Sequence, residues 1–196
     1  MSAEESQELG RRGVMRVKQY LESTTYLQMP WTAYDHGKLC LLQKLDGNKK
    51  QYDLSGFFLG DRRFPLYVES KKYTTPGGQG TAYDEYLANA YSITARAIKE
   101  DMDQEIEFMW ITWHPFRLNH WTRLMDFDYI KEAVLKRPDV LGEIDSKPPE
   151  EVVDENICRQ VSRRLWMVVL TERQQELVLS PEEVKLAMTV LKREGA

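Results

Sequence analysis

Two short apolar segments rich in aromatic residues stand next to each other near the middle of the chain, and they limit the folds open to it. They are YDLSGFFL at 52–59 and PLYVESKKY at 65–73, separated by little more than the turn-forming stretch GDRR at 60–63. Short apolar runs bounded by turn residues are typical of β-strands, and a proline is tolerated at the first position of a strand. Because the connection is so short, the two segments are predicted to form an antiparallel hairpin.

Helices are predicted on both sides of this hairpin in the sequence. Val14, Val17 and Leu21 recur at helical spacing within a helix predicted over 6–22, and a second long helix is predicted over 81–101. The other predicted elements are a strand over 38–45 joined to 50–59 by the DGN turn at 46–48, a strand over 107–116, helices over 126–137 and from Asp154, a strand over 166–172, and a helix starting at SPEE, 180–183. We therefore expect one α/β domain over 1–196, with three consecutive and mostly antiparallel strands.

Composition is that of an ordinary globular protein. The 196 residues carry a formal net charge of −4, so the chain as a whole lacks the positive field typical of nucleic-acid-binding proteins. Cys40 and Cys158 are too few to form a disulfide framework. The first residues lack the apolar region of a signal peptide, and no stretch approaches the roughly 18 apolar residues of a membrane span. We expect a cytoplasmic protein without a membrane segment.

Three charged side chains interrupt the predicted hairpin. Residues two apart along a strand share a face, so Glu69 and Lys71 are predicted to point the same way, into a cleft or solvent. The hairpin would bring Asp53, at the start of its first strand, next to them. Two converging carboxylates repel each other unless a cation lies between them or one is protonated, and Mg²⁺ typically takes one or two carboxylates. With a lysine to orient water, this set predicts metal-assisted hydrolysis of a phosphodiester.

The pattern D-x(15)-E-x-K across a hairpin resembles the motif of the PD-(D/E)XK nuclease superfamily, which has the restriction-endonuclease-like fold. The predicted order of helix, three-stranded meander, helix and strand over about 6–116 resembles the core of that family, followed by a C-terminal helix–strand–helix extension over about 117–196. The resemblance implies that Asp53, Glu69 and the backbone carbonyl of Ser70 bind Mg²⁺, for which Mn²⁺ can substitute. It further implies that Lys71 positions or activates the attacking water.

The same resemblance implies DNA as the substrate, and a role in restriction, anti-phage defence or DNA repair. No DNA-reading module is recognisable in the sequence, so we expect a protein partner such as a helicase or ATPase subunit to direct the protein to its target. A homodimer is left open as an alternative.

Two further features bear on the resemblance. Some branches of the family carry Q-x-x-x-Y on the helix that follows the motif, and Gln79 and Tyr83 have that spacing, although closer to the motif than in those branches. The resemblance makes them accessory candidates for contact with DNA or with the site. Many members carry a glutamate on the first helix in the context G-x-x-G-E, whereas here Gly10-x-x-Gly13 is followed by Val14. Glu8, one turn earlier, is an accessory candidate for that role. There are two alternatives. Either the site works with two carboxylates alone, or catalysis is impaired.

Basic residues lie close to the motif in spite of the negative net charge. The candidates for contacts with the DNA backbone are Arg11, Arg12, Arg16 and Lys72. For each of them an ordinary solvated charge mixture is the alternative. For the motif itself, two alternatives to an active nuclease remain. One is a catalytically degenerate nuclease fold that binds DNA or a partner protein, and the other is a structural domain whose carboxylates form cross-strand ion pairs.

Overall fold

The computed structural model describes residues 3–60, 63–72, 78–144 and 147–194. The helices are α1 (Ala3–Thr24), α2 (Gln79–Lys99), α3 (Phe127–Leu135), α4 (Pro149–Val152), α5 (Glu155–Arg163) and α6 (Pro181–Glu194). The strands are β1 (Leu27–Thr32), β2 (Leu41–Gln43), β3 (Lys49–Gln51), β4 (Leu54–Phe58), β5 (Pro65–Lys71), β6 (Glu107–Thr112) and β7 (Leu165–Val169). The predicted mixed α/β class is confirmed. Parts of the predicted turns GDRR and TTPGGQG, at 61–62 and 74–77, lie outside the described residues.

A five-stranded mixed sheet forms the centre of the protein, with the strand order β1-β4-β5-β6-β7. The first three strands in this order are antiparallel, and β5, β6 and β7 run parallel. Parallel neighbours need a long crossover connection, and here α2 connects β5 to β6 while α3, α4 and α5 lie between β6 and β7. The sheet therefore changes from antiparallel to parallel at β5, the strand that carries the predicted motif.

Helices cover both faces of the sheet and create two separate cores. On one face, α1 buries its predicted stripe of Val14, Val17 and Leu21 against the sheet. On the other face, α2, α3 and α5 enclose a larger core that includes Tyr86 and Trp110. A central strand covered on both faces has no solvent-facing side, and β5 is such a strand.

The segment 38–51 differs from its predicted structure. The DGN turn does join two strands, and the Lys44 amide donates to the Asn48 carbonyl at 2.8 Å, but β2 and β3 form a separate two-stranded sheet. Gly37–Cys40 forms a 3₁₀ turn where a strand was predicted. The strand that pairs with β4 in the main sheet is β1. The prediction of three consecutive strands is therefore wrong in its first member, because a short apolar run does not specify which partner it pairs with.

Two predicted helix starts are confirmed. The Asp154 carboxylate accepts a hydrogen bond at 2.7 Å from the amide of Asn156, as an N-cap does. Ser180 and Glu183 form a reciprocal capping box, with distances of 2.7 Å and 3.2 Å between side-chain oxygens and backbone amides. In the described ranges, no helix is long and apolar enough to cross a membrane.

Candidate functional site

The predicted motif lies where β4 begins and β5 ends. Leu54 pairs with Val68 across the antiparallel ladder, so Asp53 stands beside the end of β5. The backbone N–H of Asp53 donates to the Val68 carbonyl at 3.0 Å. Asp53 precedes β4 instead of lying within a strand, which corrects the prediction. The hairpin still brings together residues that are far apart in sequence.

The carboxylate of Asp53 is held by Ser70. Its Oδ2 accepts hydrogen bonds from the Ser70 amide at 2.7 Å and from the Ser70 hydroxyl at 3.0 Å. Burial raises the pKa of Asp53, and the negative charge of Glu69 raises it further, against the lowering effects of the Ser70 hydrogen bonds and Lys71. The two carboxylates are therefore close enough to repel each other.

The raised pKa, caused by burial and then by the charge of Glu69, predicts that ionised Asp53 destabilises the folded protein. Since the folded-state pKa is raised, the native state holds the proton more tightly, and stability is lost as the pH rises from the unfolded value of about 3.9 through the folded pKa. Asparagine keeps a carbonyl oxygen to accept from Ser70 but carries no charge. We expect Asp53→Asn to raise the urea midpoint at pH 7, with no gain below about pH 3.5. A lower midpoint at pH 7 would contradict this account.

Glu69 is buried, with only 5% of its surface exposed, which corrects the expectation that it faces a cleft or solvent. Lys71 Nζ lies 2.8 Å from Oε1, and Lys50 Nζ lies 3.0 Å from Oε2. The contact with Lys50 is an ion pair without hydrogen-bond geometry, so Oε2 has no hydrogen-bond partner among the described residues. A buried carboxylate is thus neutralised by two ammonium groups, as its desolvation requires.

Lys50 is a site residue that the sequence motif does not indicate. It lies on β3, in the small hairpin inserted between β1 and β4. Its position three residues before Asp53 placed it near the motif in sequence. The contact itself depends on how the inserted hairpin folds onto the sheet, which no local pattern specifies.

A cavity of about 550 Å³ lies between α1 and the sheet, next to Asp53. Asp53 and Ser70 line it, together with the cationic side chains of Arg12, Arg16 and Lys72. Glu69 and Lys71 are not among the described residues that line this cavity. Side chains alternate along β5, so these two point toward the face of the sheet that α2 covers. The structure therefore brings Glu69 into contact with Lys71, and Asp53 into contact with Ser70, on two sides of the end of β5.

Potential metal ligands near the motif are few. Within the described ranges, no three His, Cys, Asp or Glu side chains form a group able to hold a metal ion. Glu8 does not complete such a group, because Arg11 and Arg12 donate to its two carboxylate oxygens, each at 3.0 Å, on the exposed side of α1. These hydrogen bonds lower the pKa of Glu8. Val14, at the position where the family carries an acid, lines the cavity instead.

The two residues of the Q-x-x-x-Y spacing are both buried, in different surroundings. Tyr83 is a core residue, 1% exposed, and its hydroxyl donates to the Leu124 carbonyl at 3.1 Å, so it has no access to a substrate. Gln79 is fully buried at the start of α2, and its Oε1 accepts a hydrogen bond from the Thr112 hydroxyl at 2.9 Å. Thr112 is the register partner of Lys71, which places Gln79 beside the end of β5.

Comparison with known proteins gives little to add to this geometry. No protein-family model matches the sequence, and no curated protein matches it. Two solved structures show similarity, and both are described as Cap4 SAVED/CARF-domain containing receptors. The match with the receptor from Moraxella osloensis covers 85% of this chain and 33% of the receptor chain, with a TM-score of 0.34 and 5% sequence identity. The match with the receptor from Acinetobacter baumannii covers 91% of this chain and 38% of the receptor chain, with a TM-score of 0.37 and 7% sequence identity.

The chain thus spans between a third and two fifths of the length of these two receptors. Both TM-scores are too low to establish a shared fold.

Proposed function

We propose that the protein is a Mg²⁺-dependent nuclease of the PD-(D/E)XK type that hydrolyses phosphodiester bonds in DNA. One observation carries the proposal: Asp53, held by Ser70 beside a cavity lined by arginine and lysine, and the Glu69–Lys71 pair flank the end of β5 from its two sides. The antiparallel β1-β4-β5 meander followed by α2 and a parallel β6 supports a restriction-endonuclease-like core.

The residues at the site fit a hard divalent cation. Asp53 and Glu69 offer carboxylate oxygens; burial and then the negative charge of Glu69 raise the pKa of Asp53, and Glu69 Oε2 lacks a hydrogen-bond partner among the described residues. Oxygen ligands of this kind suit Mg²⁺. Asp53 from one side of the end of β5, Glu69 from the other and the Ser70 carbonyl between them would hold the ion. When bound, it would polarise the phosphate and lower the pKa of a coordinated water.

The other residues have roles that follow from their charge. Lys71, positioned by its ion pair with Glu69, would direct its ammonium toward a water or a phosphate oxygen. Arg12, Arg16 and Lys72 line the cavity and would neutralise the phosphates of the DNA backbone. Arg11 is bound to Glu8 and is not among the described residues that line the cavity. It would therefore contribute only to the positive electrostatic potential around the cavity.

Incubation of the purified protein with linear, circular and single-stranded DNA tests the proposal. We expect cleavage with Mg²⁺ or Mn²⁺ and none with EDTA, and Lys71→Ala should slow cleavage at least about 100-fold, because it removes the group that orients the water. Lys131→Ala is a matched control, since Lys131 pairs with Glu155 on the other face of the sheet. A folded wild-type protein that cleaves none of the three DNA forms with either metal would refute the proposal.

A second candidate function is a catalytically degenerate nuclease fold that binds DNA or a partner protein. Two observations favour this function. Val14 stands where many PD-(D/E)XK nucleases carry a glutamate, and two lysines already neutralise Glu69. It predicts DNA binding that is unaffected by EDTA and no cleavage. In both cases we propose targeting by a partner such as a helicase or ATPase subunit, with a homodimer as the alternative, in restriction, anti-phage defence or DNA repair.

A further inference from the structure

Glu172 bridges two of the basic residues that line the cavity. It begins the 3₁₀ turn Glu172–Leu177, which follows β7. Its Oε1 lies 2.6 Å from Lys72 Nζ, and its Oε2 lies 3.3 Å from a guanidinium nitrogen of Arg16. Three distant parts of the chain meet here: α1, the residue after β5 and the turn after β7.

Two cations from separate elements that face one anion can also bind a phosphate group. Each carboxylate oxygen of Glu172 contacts one cation, as two non-bridging oxygens of a phosphodiester would. Both cations line the cavity next to Asp53, and Lys72 Nζ also lies 5.7 Å from the ring centroid of Trp113, another lining residue. If Glu172 were absent, Arg16 and Lys72 would stand close together without the carboxylate that now lies between them.

The bridge is also accessible and weak enough to be exchanged. The exposed fractions of the Arg16, Lys72 and Glu172 side chains are 43%, 41% and 59%. Ion pairs exposed to this extent contribute little to stability, because water screens them and long side chains lose freedom in forming them. The hydrogen bond from Lys72 and the positive charge of Arg16 lower the pKa of Glu172, so it is ionised at neutral pH and competes with other anions.

We propose that Arg16 and Lys72 form a phosphate subsite for a nucleic-acid strand, and that Glu172 occupies this subsite until a backbone phosphate displaces it. The naming of a nucleic-acid strand rests on the proposed function. The subsite itself requires neither metal nor cleavage. It separates Arg16 and Lys72, which share an exchangeable anion, from Arg11, which is bound to Glu8 on its own helix.

Binding of a fluorescein-labelled single-stranded 12-mer in EDTA, followed by anisotropy over a range of NaCl concentrations, tests this inference. Glu172→Gln should bind about fivefold more tightly at about 100 mM salt, because the competing charge is gone. The slope of log K against log salt should steepen by about 0.7, the value for one additional phosphate contact on a single strand.

Glu155→Gln is the matched control. Glu155 is an exposed glutamate that also bridges two cations, Lys131 and Arg159, and its replacement changes the net charge equally, but α5 lies on the opposite face of the sheet. We expect its affinity and slope to stay at the wild-type values. Adding Arg16→Gln to Glu172→Gln should abolish the gain, because one of the two cations is lost.

Two outcomes would overturn the subsite: equal effects of Glu172→Gln and Glu155→Gln, or a gain that persists without Arg16. The nuclease proposal fails independently. A protein that binds more tightly as Glu172→Gln but never cleaves DNA would keep the subsite and lose the nuclease. A protein that cleaves DNA without any response to Glu172→Gln would do the reverse.

Discussion

Gly56→Ala is expected to destabilise the protein by about 3 kcal/mol or more, because its added methyl group has no space. A Cβ at this position would lie 2.0 Å from the Gln28 carbonyl oxygen and 2.8 Å from Met29 Cα. Both contacts are with the backbone of β1, which cannot move aside without breaking its pairing with β4. The register of that pairing shifts between Gln28 and Trp31, whose partners Phe57 and Ser55 flank Gly56. Glycine is therefore required at position 56, because the backbone of β1 lies too close to leave space for a side chain.

Gly13→Ala provides the control with the opposite sign. Gly13 lies within α1, and a Cβ added there would meet no atom within 4 Å. Because glycine is a poor helix former, we expect this variant to be more stable by about 0.5–1 kcal/mol. Urea unfolding with an unchanged m-value measures both effects. A Gly56→Ala protein as stable as the wild type would show that β1 does not pack against β4 in this way.

Loss of the pairing between β1 and β4 would also change the position of Asp53 in the candidate site. The Ala33 amide, just after β1, donates to the carbonyl of Asp53 at 2.9 Å, and the Asp53 amide donates to Val68 on the other side. Asp53 is therefore held between β1 and β5 although it lies in no strand itself. A protein that has lost β1 would lose this support and, with it, the alignment of Asp53 with Ser70.

The sequence is sufficient to predict features that depend on neighbouring residues. The stripe of Val14, Val17 and Leu21 is buried, and the capping residues Asp154 and Ser180 begin their helices, because helical spacing and capping act over three or four positions. The hairpin that joins Asp53 to the end of β5 belongs to the same class, since a short turn leaves few alternatives.

Features that depend on distant segments were not predictable in this way. Alternation along β5 indicates that Leu66 and Val68 face a core, but not that α2 covers the opposite face and buries Glu69. The ion pair of Lys50 with Glu69 and the bridge formed by Glu172 arise from the packing of the inserted hairpin and of the turn after β7. Charged residues in such positions look like ordinary surface charges in the sequence.

Glu69→Gln is expected to have the largest effect on activity, a loss of metal-dependent cleavage of at least about 1000-fold. A bound metal contributes several kcal/mol to the stabilisation of the transition state, and every 1.4 kcal/mol corresponds to about tenfold in rate. The amide group of glutamine is a weaker, neutral ligand. It would also leave the ammonium groups of Lys50 and Lys71 without the anion that now balances them, so we expect a lower unfolding midpoint as well.

Glu107→Gln separates the role of Glu69 in catalysis from a general effect of removing a carboxylate that is shielded from solvent. Glu107 pairs with Leu66 at the start of the parallel β5–β6 ladder, whereas Lys71 pairs with Thr112 at its end, so Glu107 lies at the far end of the sheet from the site. Its partner, the indole N–H of Trp166, can still donate to a glutamine oxygen. Glu107→Gln should therefore cleave at the wild-type rate. A Glu69→Gln protein that is folded and cleaves equally fast would exclude Glu69 as a metal ligand, and the buried ion pairs with Lys50 and Lys71 would then be purely structural.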